Sequence, residues 1–381
     1  MNNIKQQLKE TLGNINKSSS NKNQIVLKLK TLTPLYTGGI GQQGDQIHPS
    51  NLLGGIRHFS CLVARFLGEK YFETEVWGTA EESEPKAKQI ALKWDTSELK
   101  PINFHNKKIK INNNKGWYFS SAFEGELTLQ ITKQFTKCDK NIKEQFEKYW
   151  NILLISIAIQ IRHAMFGSKD QFGLGVLDLV KPAEYLKKLP KLNADDFKEN
   201  KNNKDINLSN CFLVRTRFSI KYKKDKKYDF LEDIIKAGLT LRYNMRNSLR
   251  NLTNNDEINR IIRHRVFGNI NKKDKNDDFS SLINISAFYP LDDKIFECRI
   301  FFIADFNKIM KFDKIKNFVQ KNNFSLEDSV VSKIFRNENI FRTINNYNLL
   351  QPKPIQICEV RKFNEDVSKK INLLNVLAGV K

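Results

Sequence analysis

Polar and apolar residues first alternate over 24–33 (QIVLKLKTLT), with Ile25, Leu27 and Leu29 on one side, the period-two pattern of a strand with one buried face. After His48-Pro49-Ser50 the period lengthens. Leu52, Ile56, Phe59, Val63 and Phe66 recur at helical spacing, with Ser50 as the expected N-cap and Gly68 as the stop. Residues 89–94 and 125–135 read as strands, the second with Leu127, Leu129 and Ile131 facing one way. Helical spacing returns over 141–165 in Ile142, Phe146, Trp150, Leu154, Ile157 and Ile161. A strand at 174–180 completes the order strand, helix, strand, strand, helix, strand, which is the split βαβ or ferredoxin-like order.

Residues 181–208 are polar and rich in Lys and Asn, a linker or an insertion. Over 211–223 alternation resumes: Phe212, Val214, Thr216, Phe218 and Ile220 fall on one face, Arg215, Arg217, Lys221 and Lys223 on the other. Such a basic face suits either a sheet turned to RNA or a plainly solvated one. Helices are predicted over 230–252 and 257–267, the first carrying Arg242, Arg246 and Arg250 at i, i+4 and i+8 along one side. Strands at 282–289 and 295–304, a helix at 308–320 and a strand at 354–360 give a second copy of the same order, with room for a further helix in 322–350. The expected fold is α+β: two tandem ferredoxin-like, RRM-like domains with glycine-rich loops, spanning 24–185 and 209–381. A flexible tail over 1–23 and a linker or insertion over 186–208 complete the chain.

Two loops stand out. Phe166-Gly167-Ser168-Lys169-Asp170-Gln171-Phe172-Gly173-Leu174-Gly175-Val176 sets glycines beside one lysine and an aromatic, so that backbone N–H groups can approach an anion while Phe172 offers a stacking face. Thr33-Pro34-Leu35-Tyr36-Thr37-Gly38-Gly39-Ile40-Gly41 follows the first strand and reads either as a surface loop or as a cradle for a phosphodiester. It is no nucleotide P-loop, because no G-K-[ST] follows. Gly54 and Gly55 lie inside a helix, where each costs about 1 kcal/mol relative to alanine; a close approach of backbone or ligand would explain them. Arg57 beside them is either a solvated side chain or a phosphate clamp near a helix N-terminus. The pattern I-R-H-x-x-F-G occurs twice, at Ile161–Gly167 and Ile262–Gly268, and reads as a trace of internal duplication.

The 381 residues carry a formal charge of +22, an excess that favours a polyanionic partner, nucleic acid above all. Five scattered cysteines without a C-x-x-C pair point to neither a disulfide framework nor a zinc ribbon. No apolar run is long enough to span a bilayer and the first residues lack a signal core, so no membrane partner and a cytoplasmic location are expected. His48 is the best-placed catalytic histidine; His163 and His264 read as structural. Asp274, Asp277 and Asp278 look like solvated turn residues, so neither a metal nor another cofactor is expected.

Thr33-Pro34-Leu35-Tyr36-Thr37-Gly38-Gly39, followed by Ser50-x-x-Leu53-Gly54-Gly55-Ile56-Arg57 and later by the loop Gly167–Gly175, resembles the Cmr-type RAMP proteins, most closely the two-domain first subunit of type III-B CRISPR effector complexes. Ile56-Arg57-His58-Phe59 departs from the tryptophan-rich form that relatives often carry. The resemblance implies two ferredoxin-like RAMP domains and no nuclease activity. It also implies guide RNA, bound near its 3′ end, and target RNA as ligands, with other RAMP subunits as partners. The candidate RNA-binding residues are Thr37, Gly38, Gly39, Arg57, Arg162, Lys169, Gln171, Phe172, Arg215, Arg217, Arg246, Arg263 and Arg265. The alternatives are a metal-independent guide-RNA-processing endoribonuclease of the same superfamily, which would use His48, and an RNA-binding scaffold outside CRISPR systems.

Overall fold

A computed structural model describes residues 23–38, 46–80, 85–103, 121–134, 140–167, 173–197, 211–221, 230–268, 283–291, 295–305, 309–310, 312–335, 353–359 and 367–380. In chain order the first half holds β1 (Gln24–Thr31), α1 (Pro49–Phe66), α2 (Phe72–Trp77), β2 (Ile90–Asp95), β3 (Leu99–Asn103), β4 (Ser121–Lys133), α3 (Lys140–His163), β5 (Leu177–Leu179) and the short α4 (Pro182–Leu186). The second half holds β6 (Cys211–Lys221), α5 (Phe230–Ser248), a 3₁₀ turn (Leu249–Asn251), α6 (Asp256–Phe267), β7 (Ile283–Ile285), β8 (Tyr289–Pro290), β9 (Ile295–Asp305), α7 (Asp313–Asn322), α8 (Leu326–Phe335), β10 (Lys353–Glu359) and α9 (Val367–Ala378).

The strands form two five-stranded antiparallel sheets. One runs β2-β4-β1-β5 with β3 also on β4, and the other runs β10-β6-β9-β7 with β8 also on β9. In both, the first long strand lies between the last strand and the long strand that follows the hairpin region, so the same order recurs. Local chemistry sets the element ends. His48 rather than Ser50 is the N-cap of α1, because Pro49, lacking an N–H and with φ already near the helical value, serves at the first helical position. α2 and β3 go unannounced by periodicity: six and five residues are too few to show one. α9 lies beyond the last element that the periodicity predicts.

The core explains the densest apolar stretch of the sequence. From Ile152 to Ile161 every residue of α3 is buried, because β-sheet, helix and strand cover it on all sides. The first sheet and α1 supply part of that cover, through Leu27, Leu29, Leu52, Ile56 and Leu129. The rest comes from the far end of the chain: Phe301 on β9 and Ile371, Leu374, Leu377 and Ala378 on α9 belong to the same core. Arg162 donates to the carbonyl of Ala378 (3.2 Å) and His163 Nε2 to that of Leu377 (2.8 Å), satisfying carbonyls at the end of α9. Asn375 exchanges two hydrogen bonds with the backbone of Leu192, at 3.0 and 3.1 Å.

The second sheet is covered on both faces. Phe296, Cys298 and Ile300 belong to a core shared with α5, α6, α7 and α8. The alternate residues Arg299 and Phe301 meet the first half, where the Phe301 ring lies 5.3 Å from that of Phe59. The buried Arg299 guanidinium donates to the carbonyls of Ile161 and Leu177 (3.1 Å for the second) and to the Tyr289 hydroxyl (3.0 Å). Tyr289 in turn donates to Glu297 at 2.6 Å. A guanidinium buried in this way costs about 3–5 kcal/mol when its partners are removed, so the network fixes how the halves meet.

The two I-R-H-x-x-F-G segments do not occupy equivalent places. The first ends α3, between β4 and β5; the second ends α6, between β6 and β7. Helix stops at His163 in the first and continues through Phe267 in the second. The match is therefore no register mark of a duplication. No described helix is long and apolar enough to cross a membrane, and among the described residues no three His, Cys, Asp or Glu side chains cluster as metal ligands. The aspartates at 274, 277 and 278 lie outside the described residues.

Candidate nucleic-acid interface

The structure brings the two glycine-rich loops together. Thr33 Oγ1 accepts from the Val176 N–H (2.9 Å) and donates to the Gly173 carbonyl (3.2 Å), while Gly175 N–H reaches the Pro34 carbonyl at 2.8 Å. The close approach that requires glycine is protein on protein. A Cβ on Gly175 (φ +85) would lie 1.8 Å from the Phe166 oxygen, and one on Gly173 (φ +76) 2.0 Å from the Ala287 nitrogen. Gly173 thus seats the loop against the second half, with its carbonyl accepting from Ala287 at 3.0 Å. Thr37 is buried and closes its own loop: it accepts from His48 N–H at 2.7 Å, and Asn51 donates to its carbonyl. Gly38, with φ +94, is half-buried. Gly39, Lys169, Gln171 and Phe172 lie outside the described residues.

Arg57 sits exposed on α1 in an ion pair with Glu73 of α2 (2.9 Å), and Arg65 holds the other carboxylate oxygen at 3.4 Å. That carboxylate offsets part of the positive field a clamp there would use. Gly54 faces open space, and Gly55 packs on Gln160 with 3.6 Å between a hypothetical Cβ and Nε2. Arg162 is engaged with α9 as described above. On β6, Arg215 pairs with Phe301 and Arg217 with Arg299. The side chains of β6 lie outside the described ones. The outer face of the first sheet is no basic platform. Val26 is exposed there, and Lys28 is paired with Glu126 (2.7 Å) and Glu98 (3.3 Å).

Cations gather instead where α5 turns into α6. Buried Asn259 braces this corner, donating to the carbonyls of Arg250 (2.7 Å) and Thr253 (2.8 Å) and accepting from Thr253 N–H (2.8 Å). Asn255 caps α6 by accepting from Ile258 N–H at 3.1 Å. The carbonyl of Arg250 is thereby tied to α6 one residue before Arg260 and one turn before Arg263. Among the described residues no carboxylate lies within ion-pair distance of Arg246, Arg250, Arg260 or Arg263. Burial, then the fields of Arg263 and Arg250, lowers the Arg246 pKa; burial, then Arg250 and Arg260, lowers that of Arg263. His264 is held below its ordinary 6.5 by burial and then by Arg246, Arg263 and Arg260. A pocket of like charges in which each opposes its neighbour's proton is relieved by an anion.

Two neighbouring arginines are otherwise engaged. Arg242 donates to the carbonyls of Ile283 (3.1 Å) and Phe267 (2.9 Å), and the Arg265 guanidinium lies 3.4 Å from the Phe312 ring centre. Of the thirteen candidates from sequence, Arg246 and Arg263 are the pair that the structure brings into one cationic cluster, where the half-buried Arg246 also donates to the Gly268 carbonyl at 3.4 Å. Arg260 and His264 join them unforeseen. Their spacing along α6 was legible, but the corner that folds Arg246 and Arg250 back beside them depends on Asn259.

Residues 28–178 match the RAMP superfamily. No curated protein matches the sequence. Similar solved structures include the crystal structure of Cmr1 from Pyrococcus furiosus in its apo form, at 11% identity over 74% of this chain and 88% of that one, with a TM-score of 0.39. A cryo-EM structure of the Type III-B Cmr-beta bound to cognate target RNA is similar at 12% identity over 82% of this chain and 100% of that chain, TM-score 0.45. A second, bound also to AMPPnP in the presence of ssDNA, is similar at 12% identity over 74% and 94%, TM-score 0.44. The RAMP match spans β1 to β5, and so takes in all five strands of the first sheet.

Proposed function

We propose that this chain is an RNA-binding, non-catalytic RAMP subunit of a type III-B CRISPR effector complex. It would contact the 3′ region of the guide RNA and help capture target RNA beside other RAMP subunits. In this reading the chain is two tandem ferredoxin-like modules, over 24–185 and 209–381, with the last helix clasped onto the first. The observation that carries it is the guanidinium corner of Arg246, Arg250, Arg260 and Arg263, free of ion-pair partners among the described residues, on a chain with a RAMP match and a charge of +22. Phosphate is the ligand that such a corner fits, and phosphate contacts bind RNA without reading its sequence. Cutting RNA needs a general base as well as charge stabilisation. His163 is buried beneath α9 and His264 is ringed by arginines; His48 is the candidate that the sequence offers for a processing enzyme.

The test is RNA binding by the purified chain across a salt series, with Arg246→Glu/Arg263→Glu as the variant. Four phosphate contacts give a slope of log affinity on log salt of roughly −3 for a single strand, and the double variant should lower both affinity and slope with its circular dichroism unchanged. Affinity flat with salt, or indifferent to the double variant, overturns the assignment. RNA incubated with the chain, with and without Mg²⁺, should stay intact; cleavage lost in His48→Ala would establish the processing enzyme instead.

A further inference from the structure

Tyr243 stands on α5 with 43% of its surface exposed, and its ring makes no hydrogen bond or ring contact with another described residue. A single exposed tyrosine is ordinary on a protein surface. Its neighbours are what give it meaning. Tyr243 and Arg246 follow one another at i and i+3 on α5, and Arg250, at i+7, continues their stripe in the 3₁₀ turn that extends the helix. Leu241, Met245 and Leu249, at i, i+4 and i+8, form the opposite, buried stripe. The Asn259 brace then holds the end of this stripe against α6, next to Arg260 and Arg263. Cations at a helix C-terminus also complement its dipole, which accounts for one or two charges on α5. It does not account for Arg260 in the middle of α6, nor for an aromatic ring in line with the charges.

We propose that the stripe Tyr243–Arg246–Arg250, bordered by Arg260 and Arg263, is a binding site for single-stranded RNA, with a base stacked on the Tyr243 ring and the flanking phosphates held by the guanidiniums. The inference rests on the RNA-binding function proposed above and specifies where and in what form the strand is held. An aromatic face within a row of cations takes bases of any identity, because every base has a π-face. A duplex has its bases turned inward and offers no free face, so the site prefers single strands to double strands of equal charge.

The experiment uses the full chain with three probes: a single strand of ~12 nucleotides, an abasic ribose-phosphate strand of the same length, and a blunt duplex. The variants are Tyr243→Ala, Tyr243→Phe and Arg250→Ala. Loss of one stacked base should weaken the single strand roughly 5- to 100-fold in Tyr243→Ala, and Tyr243→Phe should restore it. The abasic strand and the salt slope should be unchanged by either. Arg250→Ala should weaken all three probes and reduce the single-strand slope by about 0.7. If Tyr243→Ala binds the single strand as the parent does, stacking is refuted. If Arg250→Ala also has no effect while the parent binds, the site lies elsewhere and RNA binding stands. A parent chain that binds none of the probes removes the function itself, and this site with it.

Discussion

A glycine in this sequence looks the same wherever it stands, yet the structure separates its uses. Gly173 and Gly175 adopt left-handed backbone and pack directly on other backbone, so their role is to let two loops and two halves touch. Gly54 has helical backbone, an exposed position and nothing within 4 Å of where a Cβ would stand. Gly54→Ala should therefore raise stability by about 1 kcal/mol, measurable as a higher thermal midpoint, and leave RNA affinity unchanged. Affinity lost without loss of fold would instead put a ligand at the start of α1. The cysteines follow the same logic of surroundings: burial pushes the thiols of Cys61 and Cys298 up to about 12, so both stay protonated near neutral pH.

Helices and strands were legible wherever they ran long enough to repeat a period. β1, β2, β4, α1, α3, α5, α6, β9 and β10 all lie within a few residues of where alternation or helical spacing puts them. What no period reveals is the neighbour an element packs on. α9 carries Ile371, Leu374 and Ala378 on one side, an ordinary amphipathic pattern, but it buries them in the core of α3, some two hundred residues earlier in the chain. Leu374→Ala should cost about 2–5 kcal/mol in urea unfolding, as for any filled core position, despite its place in the last helix. A loss below 1 kcal/mol would mean that α9 does not dock. The same rule governs β6, whose alternation shows two faces without saying that β9 and β10 flank it.

Taken as one molecule, the chain couples its charge to protons. As pH drops through 6.5 the unfolded chain takes up the His264 proton before the folded chain does, since the folded-state value is the lower. Stability therefore rises with pH across the window between the two values and falls as that window is crossed downward. A phosphate beside Arg246, Arg260, Arg263 and His264 opposes the positive field and raises the imidazole pKa, so RNA binding should take up a proton. Affinity measured by anisotropy should tighten on acidification from about pH 7.5 to 5.5, and the tightening should vanish in His264→Gln. An equal tightening in the variant would assign the proton to another group.

The sequence by itself determined the longer helices and strands, the α+β class, the demand for a polyanion and the resemblance to RAMP proteins. These follow from neighbours within a helical turn, from composition, or from short motifs. Which cations remain open to a ligand was settled only by tertiary contact. Arg162 is drawn to the carbonyl of Ala378 and Arg242 to those of Ile283 and Phe267. Arg299, unremarked in the sequence, becomes the buried link to Ile161 and Leu177. A guanidinium has five donors and seeks acceptors wherever folding leaves carbonyls unpaired, and those carbonyls belong to residues from tens to more than two hundred positions away. Its charge is written in the sequence, but whether an RNA phosphate or the protein's own backbone receives its hydrogen bonds depends on which chain segment arrives beside it.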